Sequence, residues 1–206
     1  MYPEIDRYWH GLIGVLQVMS LQAVTLVANE LHACYRRGGT VFVLGNGGSA
    51  ATASHLACDL AKGTRANGAP TFKVLSLTDN VPLLTAWSND AAYDCALSEQ
   101  LASFVQPRDM VLAISASGNS PNVLQAVQTA NRASARTVAL TGRSGGRLAK
   151  LADVDLRVPS DIIEQVEDAH MMVAHGVCVA LRHAIQAERS NGITHAAAFE
   201  VEAVTD

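Results

Sequence analysis

Aromatic residues and long apolar runs are both scarce in this 206-residue sequence. Aromatic side chains fill only 5% of the positions although hydrophobic residues fill 49%, so a core has to be built from Val, Leu, Ile and Ala. A chain with that aliphatic content can bury a sizeable core, which argues against intrinsic disorder. No run of about eighteen apolar residues occurs, and we therefore expect no membrane-spanning helix.

Cysteine pairs at the spacing used by metal sites are absent. The four cysteines, Cys34, Cys58, Cys95 and Cys178, are far apart in the sequence and contain no CxxC pair. This distribution argues against a disulfide framework and against a thiolate zinc site. It predicts free thiols that are buried as small apolar side chains in a reducing compartment.

Clusters of like charge are also missing. The net charge is −4, with acidic and basic residues interleaved along the chain. Without a Lys/Arg cluster or a basic helix, we expect no nucleic-acid partner and no membrane-binding surface. Residues 1–6 contain acids and no basic n-region, so the sequence predicts no signal peptide and a cytoplasmic protein.

Short apolar strands alternate with helical segments from residue 40 onward. Each strand is a nearly continuous apolar run, which is typical of a parallel strand buried on both faces. This alternation predicts an α/β fold, a three-layer sandwich in which a five-stranded parallel sheet carries helices on both faces. The predicted strands are Thr40–Leu44, Phe72–Leu77, Met110–Ile114, Thr137–Leu140 and Val154–Val158.

The sequence contains no linker, and we interpret residues 1–206 as a single domain. Helical periodicity predicts one N-terminal helix over about residues 5–36, ended by two glycines. The core is expected over about residues 40–187 and closes with a long helix from Ile163 to Ala187. The polar, Ala-rich residues 188–206 are interpreted as a tail or an interface arm.

Two loops rich in glycine and serine each connect a predicted strand to the start of a helix. Gly45–Ser49 follows the first strand, and Ser115–Ser120 follows the third. Glycines allow close backbone approach, and free amides at a helix N-terminus favour an anion. Ordinary turn and N-cap chemistry explains either loop alone equally well. Because neither loop contains Lys or Arg, the pattern favours a single phosphate monoester over a nucleotide.

Imidazole and carboxylate groups recur on two helices. His55 and Asp59 are four residues apart on a helix predicted over Ala50–Lys62 and therefore share one of its faces. On the closing helix, Glu167 and His175 lie about 80° apart on the helical wheel. Two imidazoles and two carboxylates together form a donor set suited to Zn²⁺. A surface ion pair between His55 and Asp59 is the alternative.

Taken together, these motifs resemble the sugar isomerase (SIS) domain, and within it the phosphoheptose isomerase group. The resemblance rests on Gly45–Ala50, Ser115–Asn122 and Leu140–Gly142, and it extends over about residues 19–181. It implies a flavodoxin-like five-stranded parallel sheet and a homotetramer with active sites between subunits. It also implies a small-molecule sugar phosphate as the substrate.

The resemblance assigns roles to particular residues. It implies one Zn²⁺ per subunit held by His55, Asp59, Glu167 and His175. Asp59 and Glu167 stand where the family usually has Glu and Gln, so the metal site is expected to be altered rather than lost. The resemblance implies that Ser49, Ser115, Ser117 and Ser120 hold the sugar phosphate. The further residues expected to bind the substrate are Asn46, Gly47, Asp79, Asn89, Asp90 and Asn119. For Asp79, Asn89 and Asp90, helix capping and turn formation remain the alternative.

The reaction implied by the resemblance is a 1,2-proton shift through a cis-enediol(ate), which converts sedoheptulose 7-phosphate into D-glycero-D-manno-heptose 7-phosphate. Asp59 would take the proton from carbon, His175 would serve as acid and base near oxygen, and Glu167 could share the work of the base. Two alternatives stay open: an isomerase of another ketose phosphate, and a non-catalytic scaffold resembling replication-initiator-associating proteins.

Overall fold

A computed structural model describes residues 2–191. Five strands form a single parallel sheet, in which the strand order is β2-β1-β3-β4-β5. This is the flavodoxin-like order, and the predicted α/β fold with a five-stranded parallel sheet is confirmed. The strands are β1 (Thr40–Leu44), β2 (Lys73–Ser76), β3 (Met110–Ser115), β4 (Arg136–Thr141) and β5 (Val154–Arg157).

Eight α-helices surround the sheet within the described residues. Asp59–Gly63 continue the third helix as a π-helical turn, and Tyr93–Cys95 form a 3₁₀ turn. The helices are α1 (Pro3–Val18), α2 (Leu21–Arg36), α3 (Gly47–Cys58), α4 (Val81–Asp90), α5 (Ala96–Ala102), α6 (Pro121–Arg132), α7 (Leu148–Leu151) and α8 (Ile163–Ser190).

The side chains of each central strand alternate between two apolar layers. In β3, Met110, Leu112 and Ile114 point into one cluster, which also contains core residues of α1, α2, α3 and α8. Val111 and Ala113 point into the opposite cluster, which contains core residues of α5, α6 and α7. Because both faces are buried, residues 110–114 of the strand are all apolar, and this explains the continuous apolar runs in the sequence.

The single N-terminal helix predicted over residues 5–36 is wrong, because the chain forms α1 and α2 with a bend of 72° between them. Met19 is extended, and the Ser20 hydroxyl accepts a hydrogen bond from the Ala23 N–H at 3.2 Å, which caps a new helix. Apolar periodicity continues across this break and therefore conceals it. Within residues 2–191 no single helix reaches the length and hydropathy of a membrane span; α1 and α2 reach them only as a bent pair.

Two further boundaries differ from the predictions. α3 begins at Gly47, three residues before the predicted start, because the first loop turns directly into the helix. α8 continues to Ser190 and so includes residues 188–190 of the predicted tail. Residues 192–206 of that tail lie outside the described part of the chain.

Candidate active site

The two glycine- and serine-rich loops lie side by side at the carboxyl edge of the sheet. They follow β1 and β3, which are neighbours in the sheet, and lead into α3 and α6. α3 packs on one face of the sheet and α6 on the other, so the chain diverges between these strands. Such a switch point is where open α/β sheets bind their ligands.

A reciprocal amide pair joins the two loops. The Asn46 Nδ2 donates to the Asn122 Oδ1 at 2.9 Å, and the Asn122 Nδ2 donates to the Asn46 Oδ1 at 2.8 Å. The Tyr93 hydroxyl also donates to the Asn46 Oδ1, at 2.7 Å. Asn46 and Asn122 are 76 positions apart in the sequence, so their pairing exists only in the folded chain. It fixes the position of the first loop relative to the second.

Three serine hydroxyls line the second loop. Ser115 is buried and its Oγ lies 3.3 Å from the Oγ of Ser120, while Ser117 is exposed. Gly118 adopts a positive φ of 63°, and a Cβ there would lie 2.6 Å from the carbonyl carbon of Gly145. The loop therefore requires glycine at this position, because a side chain would push it away from the loop after β4.

Asn119 holds this loop in place. Its Nδ2 donates to the Ser117 carbonyl at 2.9 Å, and its Oδ1 accepts from the Arg147 N–H at 3.1 Å. Both ends of the amide are thus used inside the protein. The structure assigns Asn119 to loop support, and its predicted contact with the substrate stays a prediction.

The N-cap side chains of α3 and α6 accept no hydrogen bond from the first turn, although in α6 the Asn122 Oδ1 accepts from the Val123 N–H at 3.0 Å. Asn46 and Ser120 stand at the N-cap positions, are extended, and make no capping hydrogen bond. Gly47 begins α3 with a φ of 52°, and the buried Ser49 follows within the first turn. Backbone amides left unpaired at a helix N-terminus attract anions. The two helix starts therefore offer amides and hydroxyls to a phosphate group without any basic side chain.

α3 and α8 bring His55, Asp59 and His175 together. The Nε2 atoms of the two histidines lie 2.8 Å apart, and the Asp59 Oδ2 lies 3.4 Å from that of His55 and 3.8 Å from that of His175. One ligand atom from each residue lies within 4.8 Å of the others. All three side chains are partly exposed, so a substrate can reach them. The i and i+4 spacing on α3 and the docking of α8 create this cluster together.

The cluster fits a divalent metal ion by its donor atoms. Two ligand atoms about 2.0–2.1 Å from a tetrahedral Zn²⁺ are separated by about 3.3 Å, and the three observed separations bracket this value. A metal ion bound by both ring nitrogens would take the place of the proton shared in their 2.8 Å contact. Two imidazoles with one carboxylate form a donor set typical of catalytic zinc.

Glu167 lies outside this three-residue cluster. Its carboxylate packs against Gly48 in the first turn of α3, where an added Cβ would lie 2.5 Å from the Glu167 carboxyl carbon. Seven residues further along α3, His55 meets His175, so α3 and α8 run alongside each other with one contact at each end. That offset corresponds to about 10 Å along the helix axis. Glu167 therefore stands at the first loop, about two helical turns from the histidines.

The other predicted hydroxyl-binding residues are spread over two places. Asp79 follows β2 and accepts a hydrogen bond from the Ser54 hydroxyl of α3, beside the Ser76 and Thr78 hydroxyls. It lies close to the helix that carries His55. Asn89 donates to Asp90 at 2.8 Å at the end of α4. Within residues 2–191, neither Asn89 nor Asp90 is hydrogen-bonded to the two glycine- and serine-rich loops.

No role was predicted from the sequence for Asn122, Tyr93 or Ser54. Asn122 stood at the end of the recognised second motif, and its pairing with Asn46 depends on tertiary contact. Tyr93 lies in a three-residue 3₁₀ turn, which no periodic pattern in the sequence predicts. Its one signal was the scarcity of aromatic residues, which makes an exposed tyrosine beside a loop unusual.

Cysteine takes no part in the cluster. All four cysteines are free, as predicted, but only Cys34 and Cys178 are buried, and Cys58 is exposed. Burial, together with the neighbouring Asp59 carboxylate, raises the pKa of the Cys178 thiol to about 12. Cys178 therefore remains a thiol near neutral pH and offers no thiolate to a metal.

Comparison with known proteins defines the class of this domain. A sequence model of the SIS domain matches residues 11–142. The chain also shares its fold with the phosphoheptose isomerase from Neisseria gonorrhoeae, with a TM-score of 0.82 and 28% sequence identity over 88% of this chain and 98% of that one. The structure is therefore that of a SIS domain.

Curated relatives narrow the class further. The phosphoheptose isomerase of Rhodospirillum rubrum is 38% identical over 163 residues, which cover 79% of this chain and 86% of the relative. That of Mycobacterium tuberculosis is 39% identical over 169 residues, which cover 82% and 86%. The chain belongs to the phosphoheptose isomerase family of sugar-phosphate isomerases, which confirms the family and the enzyme class expected from the sequence.

Proposed function

We propose that this enzyme converts sedoheptulose 7-phosphate into D-glycero-D-manno-heptose 7-phosphate by a 1,2-proton shift. The main support is that His55 and Asp59 of α3 lie next to His175 of α8, and that α3 starts at the first loop. The names of the relatives support the choice of a heptose phosphate. We further propose that the enzyme works in the cytoplasm as a homotetramer. The exposed apolar side chains of α1, among them Trp9, support association of subunits.

The phosphate end of the substrate is assigned to the second loop. Ser115, Ser117 and Ser120 present hydroxyls around the uncapped start of α6, and Ser49 adds a hydroxyl in the first turn of α3. A dianionic group gains there from unpaired amides and from the helix dipole. With the phosphate held at that end, the carbonyl end of the sugar extends toward α8.

We propose that His55, Asp59 and His175 hold a zinc ion, with Glu167 as a further oxygen donor when it does not serve as the base. When bound, Zn²⁺ supplies Lewis acidity at the carbonyl end of the substrate. The protein itself has to move two protons. His175 is assigned to the proton at oxygen, since an imidazole can accept or donate near neutral pH.

Two carboxylates are candidates for the base that removes the proton from carbon. Asp59 matches the family position, but its carboxylate already contacts both imidazoles. Glu167 is free of those contacts and lies beside the substrate-binding loop. We therefore propose that Glu167 removes the proton from carbon when Asp59 is a metal ligand. General base catalysis contributes about 10²–10⁴-fold to the rate.

The test is an isomerisation assay with sedoheptulose 7-phosphate on zinc-loaded and on chelator-treated enzyme, together with a direct titration of zinc. Turnover that disappears with the chelator and returns with zinc is the expected result. Stoichiometric zinc binding without turnover of any C5–C8 ketose phosphate would replace this proposal with the scaffold alternative.

One observation favours the alternative of a different ketose phosphate. Asp59 is one methylene shorter than the family glutamate, which withdraws its carboxylate from the substrate by about 1.5 Å. A pocket altered in this way selects a sugar of different length or stereochemistry. The same assay with C5, C6 and C8 ketose phosphates distinguishes these substrates, because the preferred one has the highest kcat/KM.

A further inference from the structure

A third loop, residues 142–147 after β4, packs against the second glycine- and serine-rich loop. The Arg147 N–H donates to the Asn119 Oδ1 at 3.1 Å. A Cβ on Gly146 would lie 2.5 Å from the carbonyl oxygen of Ser117, so the two backbones are in close contact. The third loop therefore belongs to the same part of the carboxyl edge as the serine hydroxyls.

Arg147 starts beside the proposed phosphate position. Asn119, which accepts from the Arg147 N–H, donates its own N–H to the Ser117 Oγ at 3.1 Å. The backbone of Arg147 is thus two hydrogen bonds away from a hydroxyl of the second loop. Arg147 is exposed, and an arginine carries its charge at the far end of a long side chain. Its guanidinium can therefore serve an anion that is bound at the start of α6.

Three arginines lie in or near the third loop, and two of them are already paired. The Arg143 Nε lies 2.7 Å from the Asp161 Oδ2, and the Arg157 Nε donates to the Asp155 Oδ2 at 2.6 Å. Within residues 2–191, the Arg147 guanidinium has neither a hydrogen bond nor an ion pair. Its positive charge is therefore available to a ligand.

We infer that Arg147 binds the phosphate group of the substrate and supplies the positive charge that the two glycine- and serine-rich loops lack. A guanidinium suits this role, because its fork of N–H groups matches the oxygens of a phosphate. The inference deepens the proposed function and rests on it only in that a phosphate group binds at the start of α6. It makes the third loop part of the binding site and Arg147 a determinant of affinity for dianionic phosphate monoesters.

The test is calorimetric binding of inorganic phosphate and of sedoheptulose 7-phosphate to Arg147→Gln, to Arg147→Lys and to the unaltered enzyme. Glutamine keeps the backbone N–H that bonds to Asn119, so Arg147→Gln removes the charge and retains this contact between the loops. We expect Arg147→Gln to bind both ligands about three- to tenfold more weakly than the unaltered enzyme. Arg147→Lys keeps the charge and should retain most of the affinity.

Arg132→Gln is the matched control for the change in net charge. Arg132 is an exposed arginine at the opposite end of α6, about 17 Å from the start of that helix. At about 0.1 M salt the Debye length is about 10 Å, so Arg132→Gln should bind both ligands as the unaltered enzyme does. At about 1 M salt the Debye length is about 3 Å, and the difference between Arg147→Gln and the unaltered enzyme should disappear.

The outcomes separate this inference from the proposed function. Equal affinities of Arg147→Gln and the unaltered enzyme at the lower salt concentration would overturn the inference alone. A loss that persists at the higher salt concentration, or that Arg147→Lys shares in full, would also overturn it, because the substitution would then act by disturbing the loops. A salt-sensitive loss without any turnover by the unaltered enzyme would retain the inference and reject the isomerase. Failure of inorganic phosphate and of every ketose phosphate to bind would reject both.

Discussion

A buried side chain at the amino edge of the sheet accepts hydrogen bonds from the backbone, whereas at the carboxyl edge the N-cap side chains of two helices accept none from the helices they start. At the amino edge the buried Asp109 accepts from the N–H groups of Thr40 and Gln106, both at 2.8 Å. At the carboxyl edge the N-cap residues of α3 and α6 cap nothing. The comparison indicates that the amino edge stabilises the fold and that the carboxyl edge is kept open for a ligand.

The charged groups follow the same division. Arg136 donates to both carboxylate oxygens of Glu30, at 2.6 and 3.0 Å, and this hydrogen-bonded carboxylate raises the pKa of the guanidinium. His55 and His175 instead face each other with about half of each side chain exposed. The bidentate pair joins α2 to β4 and stabilises the fold, whereas a half-exposed pair of imidazoles contributes little to the stability of the fold.

The largest effect is expected for His175→Ala at the carboxyl edge. Loss of the acid and base group should lower kcat/KM by about 10²–10⁴-fold, while the free energy of unfolding changes by less than about 0.5 kcal/mol. His10→Ala is the control, since His10 is likewise an exposed histidine beside a carboxylate, that of Asp6 on α1. Steady-state kinetics and urea unfolding measure the two effects. Unchanged kinetics in His175→Ala would show that the open edge does not carry the chemistry.

Asp109→Ala tests the amino edge with the opposite expectation. The substitution leaves two N–H groups without their acceptor in a buried position, and each costs about 1–3 kcal/mol. We therefore expect a loss of about 2–4 kcal/mol in the free energy of unfolding, with KM unchanged for the folded enzyme. A raised KM without a loss of stability would contradict the division between the two edges.

His170 adds a pH dependence that belongs to the core. Its Nε2 lies 3.2 Å from the Thr141 carbonyl, and burial lowers its pKa from 6.5 to about 4. The unfolded chain therefore takes up a proton before the folded one as the pH falls, and stability decreases from about pH 6.5 down to pH 4. From pH 7 to pH 5 this amounts to about 2 kcal/mol.

His170→Gln checks that figure by urea unfolding at both pH values. Glutamine can retain a donor toward the Thr141 carbonyl but has no group that titrates in this range. The difference in stability between pH 7 and pH 5 should then be about 2 kcal/mol smaller than in the unaltered protein. An equal pH dependence of both proteins would mean that other groups cause the loss.

The smallest effect is expected for Gly48→Ala. The new Cβ requires the Glu167 carboxylate to move, which a flexible side chain does at little cost in stability. If Glu167 takes part in proton transfer, displacement on the order of 1 Å should lower kcat by about tenfold and leave the melting temperature within about 2 °C. Gly14→Ala, on α1 with open space at the Cβ position, is the control.

Much of the fold followed from local patterns. The strands were predicted to within one or two residues because a strand buried on both faces is largely apolar, as residues 110–114 of β3 show. The break between α1 and α2 could not be predicted, since the decisive interaction is one hydrogen bond to the Ser20 hydroxyl inside a continuing apolar stripe. α5 was missed as well, because a seven-residue helix has too few turns for a clear periodicity.

The residues of the site likewise fall into those that sequence spacing predicts and those that depend on tertiary packing. His55 and Asp59 share one helix face, so their neighbourhood was readable from spacing alone. The approach of His175 depends on how α8 docks on α3, and only the family resemblance predicted it. Glu167 was expected among the metal ligands, yet it rests on Gly48, because side-chain direction is set by local packing. The pairing of Asn46 with Asn122 requires two strands to be neighbours and has no local signature.

The π-helical turn after α3 has a consequence for how this enzyme tolerates length changes. Arg182 of α8 donates to the Gly63 carbonyl that ends this turn, seven residues after His175 on the same helix. A π-turn contains one residue more than an α-turn, so deleting one residue between Leu60 and Lys62 lets the helix continue as regular α. Five residues of a π-turn complete about the same rotation as four residues of an α-helix, so the residues beyond the deletion would keep their direction, and His55 and Asp59 would keep their places. This enzyme should therefore tolerate the loss of one residue downstream of the histidine-bearing turns.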